Sequence, residues 1–166
     1  AGDRALSLNA FAAAARWYQA ALELWPANDP ERPRLLLRLG EARSWAESTG
    51  NELLEAARDG LLGQGDREHA AEAELLLAGL LLSQGQGKDG LEHDRRAVAL
   101  LENAEPSPIK ARALHGLSNR LWGGGHLQEA VQVGRQALAM AEALGLDELR
   151  ARTLNTIGSA RVLSGD

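Results

Sequence analysis

Residues Glu105–Gly145 read EPSPIKARALHGLSNRLWGGGHLQEAVQVGRQALAMAEALG, and this stretch decides the fold. Apolar side chains recur at Leu114, Leu117 and Leu121, then at Leu127, Ala130, Val131, Ala137, Leu138 and Ala141. Steps of three and four put each set on one face of a helix. Gly123-Gly124-Gly125 separates the two periods, because glycine loses the most backbone freedom on entering a helix. The expected product is a helical hairpin. Ser118 and Ala130 are small enough for its two backbones to approach. Ser107-Pro108 caps one end, and Gly145 closes the other.

Outward from this hairpin the same pattern continues. Ala1–Leu6 is short and helix-compatible. Asn9 is the expected N-cap of a helix over Ala10–Trp25, which Pro26 closes. Asp29-Pro30-Glu31 restarts a helix that runs to about Ala46, with Leu36, Leu39 and Ala42 on one side. Ser48-Thr49-Gly50 breaks it. Asn51–Leu62 returns, with Leu54, Ala57 and Leu61 inward. Gly63–Asp66 forms a loop and cap, Glu68–Ser83 is helical, and Gly85-Gln86-Gly87 breaks it. Lys88–Asn103 returns, with Leu91, Ala97, Val98 and Leu101 apolar. Asp147 is the expected cap of a last helix to about Leu163. The sum is nine helices joined by short loops, which force antiparallel neighbours.

Three of these segments are near copies: RLLLRLGEAR from Arg34, RALHGLSNRL from Arg112 and RTLNTIGSAR from Arg152. In each, Leu stands two residues after Arg, Leu or Ile five after, and a small residue six after. The small residues are Gly40, Ser118 and Gly158; Gly2 and Ala78 stand at the equivalent points elsewhere. Successive spacings are 38, 38, 40 and 40 residues. Two helices per period of this size define an all-α solenoid, in which stacking supplies the core. One repeat domain over 1–166 is expected, in units of about 1–28, 29–65, 66–105, 106–146 and 147–166. The chain begins Ala1-Gly2-Asp3 and stops just after a helix, so it is expected to be a fragment of a longer protein. Its end helices should then expose apolar faces and favour self-association.

Composition agrees with a helical class. Ala and Leu dominate the 166 residues, and strand-forming Val, Ile and aromatic residues are scarce. A net charge of −5 disfavours a general nucleic-acid binder. With no Cys, thiol catalysis, disulfides and thiolate metal sites are excluded. The longest apolar run, Leu75–Leu82, is too short to span a membrane. No signal-peptide pattern opens the sequence, and Arg outnumbers Lys in an Ala-rich chain. A bacterial, cytoplasmic protein is expected.

These units resemble the tetratricopeptide repeat family. Leu117-Ser118, Gly125, Ala130 and Ala137 match its pattern of bulky-then-small residues, turn glycine and small residues in the second helix. Leu77-Ala78, Gly85, Gly90 and Ala97 repeat it, as do Gly2, Ala14, Tyr18, Ala21 and Pro26; Ile157-Gly158 and Gly165 begin a fifth copy. The units depart from the family in being longer than its usual 34 residues, in carrying Arg43 and Arg161 where an aromatic is common, and in one extra residue at Ser48–Gly50. EALGLDELRARTLNTIGSAR is also similar to the repeat arms of large bacterial signalling ATPases, among them transcriptional regulators and adenylate cyclase-like proteins.

The resemblance implies a non-catalytic scaffold that binds a protein or peptide in a concave groove lined by the first helix of each unit. The alternative is a small-molecule-sensing arm of a signalling ATPase or cyclase. By repeat equivalence the groove residues are Arg34, Leu37, Glu41 and Trp45; then Glu72, Leu75, Gly79 and Leu82; then Arg112, His115, Asn119 and Trp122; then Arg152, Asn155 and Ser159. Arg and Trp are the usual anchors of interfaces. The competing reading makes Trp45 and Trp122 gap fillers and the Arg stems packing groups. Asn119 matches one position of the subfamily that clamps chaperone C-termini, but Thr156 stands where a second Asn is needed, so that ligand is not expected.

No catalytic residue, metal or cofactor is assigned. Gly85-Gln86-Gly87-Lys88-Asp89-Gly90 is a literal GxGxxG, the sign of a dinucleotide-binding turn. The run before it is Leu-rich and continues into the helical AAEAE, so it reads as a turn between helices. Neither His69, His93, His115 nor His126 pairs with another at the spacing of a helical zinc site. Glu41 alone does not make an acid–base pair.

Overall fold

The computed structural model describes residues 1–165. Among these there are nine helices and no strand. They are α1 Gly2–Ser7, α2 Phe11–Leu24, α3 Arg32–Glu47, α4 Asn51–Gly63, α5 Arg67–Ser83, α6 Gly87–Leu100, α7 Pro108–Gly123, α8 Leu127–Ala143 and α9 Asp147–Ser164. Each helix packs on its sequence neighbours, while α3 also meets α5, α5 meets α7 and α7 meets α9. The odd-numbered helices therefore form one layer and the even-numbered helices the other. Asp166, the end of the expected fifth unit, lies outside the described residues.

One turn is used five times. Gly65, Gly85, Gly125 and Gly145 each have a positive φ, and the N–H of the next residue returns to the carbonyl five positions back. Gln86 thus donates to Leu81, and His126 to Leu121. This closes the carbonyls that a helix end leaves open. The fifth example corrects the expected cap at Asn9. Asn9 has φ 55, and Ala10 donates to the Ala5 carbonyl. Asn9 fills the place of the turn glycine, a conformation that Asn tolerates better than most residues. The helix then starts at Phe11, with Ala10 as N-cap.

Two other expected caps differ. Asp29 accepts from the Glu31 N–H at 2.8 Å and closes a turn one step early, so α3 begins at Arg32 and Pro33 occupies its first turn. Asp147 is the first residue of α9 and follows the N-cap Leu146, which supplies no side-chain bond. Asp66 and Ser107 cap as expected, accepting from the N–H of His69 and Lys110. The Ser48–Gly50 break contains two left-handed residues, Ser48 and Gly50, which absorb the extra length there.

The core runs as a strip between the layers. Leu37, Leu54, Ala57, Leu61, Ala70 and Leu77 are sealed between α3, α4 and α5. Ala71, Ala97, Leu101 and Ala113 continue it, followed by Leu117, Leu121, Ala130 and Ala160. The pairs close where a side chain is missing or short. Ser118 donates to the Ala130 carbonyl at 2.8 Å, and a Cβ on Gly134 would lie 2.8 Å from both Ser118 Oγ and Ile157 Cγ1. A Cβ on Gly40 would lie 2.7 Å from Leu54 Cγ, inside contact distance.

Gly40→Ala should therefore destabilise the fold by about 1–3 kcal/mol despite alanine's better helix propensity. The check is the urea midpoint, and an unchanged midpoint would show that α3 and α4 can separate freely.

Candidate functional site: the groove of the odd-numbered helices

The odd-numbered helices line one open cavity of about 590 Å³. Glu41 and Trp45 come from α3, and Glu72, Leu75, Leu76 and Gly79 from α5. Arg112, His115, Gly116 and Arg120 come from α7; Asp147, Glu148, Leu149 and Arg152 from α9. Leu75, Leu76 and Leu149 give it an apolar floor, and charged residues make up much of the rest of the lining. Trp45 is 64% exposed and stacks on Phe11, ring centroids 5.8 Å apart.

Eight of the residues expected in the groove line this cavity: Glu41, Trp45, Glu72, Leu75, Gly79, Arg112, His115 and Arg152. The others lie elsewhere. Leu37 is wholly buried in the core and cannot meet a partner, because its position faces α4 and α5. Trp122 packs against the Leu117–Leu121–Ala130–Ala160 cluster, with its indole N–H buried and unpartnered. It is a gap filler, as the competing reading of the sequence had it. Arg34 reaches Asp66 at 3.0 Å and ties α3 to the cap of α5. Asn119 is exposed and accepts from Thr156 at 3.4 Å, while Asn155 is exposed beyond the cavity. GQGKDG is the α5–α6 turn and the start of α6, with no strand before it.

Of the three equivalent arginines, Arg34 is paired with Asp66 and Arg112 lies near Glu72. Glu72 receives Arg38 at 3.3 Å and lies 3.8 Å from Arg112, so one carboxylate of α5 serves the first helices on either side of it. Arg38 also bonds Glu41 at 2.9 Å. Arg112 and Arg152 remain exposed at the rim. Deeper, Asp94 of α6 is paired with Arg120 of α7. Burial pushes the Asp94 carboxyl above its ordinary range, against the pull of Arg120. Asp94 falls on the apolar face of α6, three after Leu91 and four before Val98. A charge at that period is the sequence signal for a buried pair, and Glu74 among Ala70, Ala71 and Leu77 is another. Glu74 meets His93 Nδ1 at 2.5 Å, on the far side from the groove residues.

His115 is 8% exposed, and its Nδ1 lies 3.0 Å from Thr153 Oγ1. Burial, assisted by the charge of Arg152, lowers its pKa to about 4. Among the described residues, no group of three or more His, Asp or Glu is arranged to hold a metal. No helix among them is long and apolar enough to cross a membrane.

A family model described as tetratricopeptide repeat matches residues 69–143, which carry α5 through α8. Over these residues the chain is similar to that family. No curated protein matches the sequence. Solved structures share the fold at low identity. A candidate kinesin light chain from Podosopora anserina, with nearly identical TPR-like repeats, has a TM-score of 0.76 at 18% identity, over 99% of this chain and 83% of that one. BtubC (BKLC) from P. vanneervenii has a TM-score of 0.80 at 18% identity, over 99% of this chain and 70% of that one. MamA has a TM-score of 0.54 at 20% identity, over 96% and 91%. The matched repeats supply eight of the cavity residues named above, from Glu72 to Arg120.

His115 makes stability depend on acid. The unfolded chain binds a proton near pH 6.5, and the folded one only near pH 4. Stability should be full above about pH 6.5 and should fall as the pH drops towards 4, by up to about 3 kcal/mol. His115→Gln should remove that part of the slope. Urea melts of both proteins at several pH values check this, and parallel slopes would refute it.

Proposed function

We propose that this chain is a single repeat domain, 1–166, acting as a non-catalytic interaction scaffold whose groove binds an extended peptide or protein segment. Tetratricopeptide repeats are in general protein–protein interaction scaffolds, and the observation that carries the reading here is the cavity itself. It spans four successive first helices and places an apolar floor beside two exposed arginines. Such a surface suits a segment with apolar side chains and at least one carboxylate. Arg112 and Arg152 would take the carboxylate by paired hydrogen bonds. Trp45 and the leucine floor would take the apolar groups, at little cost in rotamer freedom. The net charge of −5 does not oppose this, because Glu41, Glu72 and Asp94 of the lining already have arginine partners.

We also propose self-association through α9. Leu154, Val162 and Leu163 are exposed on it, at 49%, 78% and 65%. Sedimentation at rising concentration checks it: wild type should form larger species, and a Val162→Ser, Leu163→Ser variant should stay monomeric.

The groove reading is tested with an array of ten-residue peptides. Binders should combine acidic and apolar residues, and their affinity should fall with salt. Arg112→Ala with Arg152→Ala should weaken them at least tenfold while leaving the helical circular dichroism and melting temperature nearly unchanged. Equal capture by the double variant would reject the groove.

A further inference from the structure

We propose that the groove contains a subsite between Gly79 and His115 for an aromatic side chain that carries its own hydrogen-bond donor, namely tryptophan or tyrosine. This rests on the groove being the binding surface.

The first observation is a glycine that the fold does not require. Added Cβ atoms on Gly40, Gly60, Gly90 and Gly134 would meet a neighbouring helix at 2.6–3.0 Å. Gly79 lies inside α5, where glycine weakens a helix, yet nothing stands within 4 Å of where its Cβ would be. It faces the cavity beside Leu75 and Leu76. The helix backbone is left bare there, and a flat ring can lie closer to it than any Cβ would allow.

The second observation is the unpaired nitrogen of a buried ring. Thr153 Oγ1 is 2.7 Å from the Leu149 carbonyl and 3.0 Å from His115 Nδ1. The hydroxyl has one hydrogen, and the carbonyl can only accept it. Nδ1 must therefore carry a hydrogen and donate it to Oγ1. The lone pair of the neutral ring then sits on Nε2, which has no partner among the described residues. Nor is Nε2 sealed from solvent: the buried, unpartnered side-chain nitrogens and oxygens of those residues are Arg120 Nη1 and Trp122 Nε1. His115 lines the cavity, so Nε2 is an acceptor open to a ligand.

An unpaired acceptor facing the cavity selects for a donor. An indole N–H or a phenol O–H supplies one, and phenylalanine or leucine does not. Filling the subsite with a ring that lacks the donor would desolvate Nε2 without compensation. Arg112 is three residues before His115 on α7, and Arg152 approaches from α9. A carboxylate next to the aromatic residue would meet them.

The test titrates the whole chain with Ac-Glu-Trp-Glu-NH2, Ac-Glu-Tyr-Glu-NH2, Ac-Glu-Phe-Glu-NH2 and Ac-Glu-Leu-Glu-NH2, followed by residue-resolved NMR. The tryptophan and tyrosine probes should bind at least tenfold more tightly than the other two and shift Gly79 and His115. Nitrogen-15 spectra of the free protein at neutral pH should place the His115 proton on Nδ1. Gly79→Ala should raise the melting temperature and weaken the tryptophan probe at least fivefold. Gly158→Ala, equally open but outside the cavity, should raise the melting temperature and leave binding unchanged. If all four probes bind the groove equally, or Gly79→Ala binds as wild type, or the proton is on Nε2, the subsite is wrong while the groove stands. If no probe shifts any groove residue, both are wrong.

Discussion

Two helices can come this close only where side chains are short or missing, and the rest of the architecture depends on that. Leu54 lies against Gly40, Ser118 and Ile157 lie against Gly134, and the Ala78 carbonyl lies against Gly90. Each of these contacts would be blocked by one more carbon. The close approach lets the second helix of a pair tuck behind the first, so the first helices are free to line a common surface. The cavity of about 590 Å³ follows from this arrangement, not from any loop or insertion. Its lining residues inherit their positions from helices that are locked at their midpoints.

Charge then fixes how one pair sits against the next. Asp94 and Arg120 join α6 to α7, and Glu72 stands between Arg38 of α3 and Arg112 of α7. A buried pair of this kind adds little net stability, since desolvation offsets most of its attraction, but losing one partner leaves a buried charge exposed to no solvent. Pairs of this sort favour one register between units over its neighbours. The groove therefore has less free charge than a count of its residues implies. Arg112 and Arg152 stand out because they are exposed at the rim, where a ligand can reach them.

Most of the fold was legible because it rests on periodicity. Leucine and alanine at steps of three and four located all nine helices, and the recurring small residue gave the period of 38 to 40. Caps were read less well at Asn9, Asp29 and Asp147, because Asn and Asp serve turns as readily as N-caps. The site was legible in part. Repeat equivalence put Glu41, Trp45, Glu72, Leu75, Gly79, Arg112, His115 and Arg152 on one face, and all eight line the cavity. It failed at Leu37 and Trp122, where a position equivalent in number points into the core. It also passed over Arg38, Asp94 and Arg120, which act through partners on other helices. Spacing within one helix shows which face a residue occupies; it does not show which side chain from the next unit will reach it.

Among the described residues, helices touch their neighbours in sequence, and α3, α5, α7 and α9 also touch the next of this series. Force applied at the two ends would therefore pass through the interfaces one after another, with no strap running in parallel to share it. Such an array behaves as a spring: each interface yields a little, and the small rotations add along the axis. Because the groove is bounded by α3, α5, α7 and α9, stretching would splay its walls and compression would draw them together. The width of the groove is thus coupled to tension, and a ligand bridging several of these helices would stiffen the whole array.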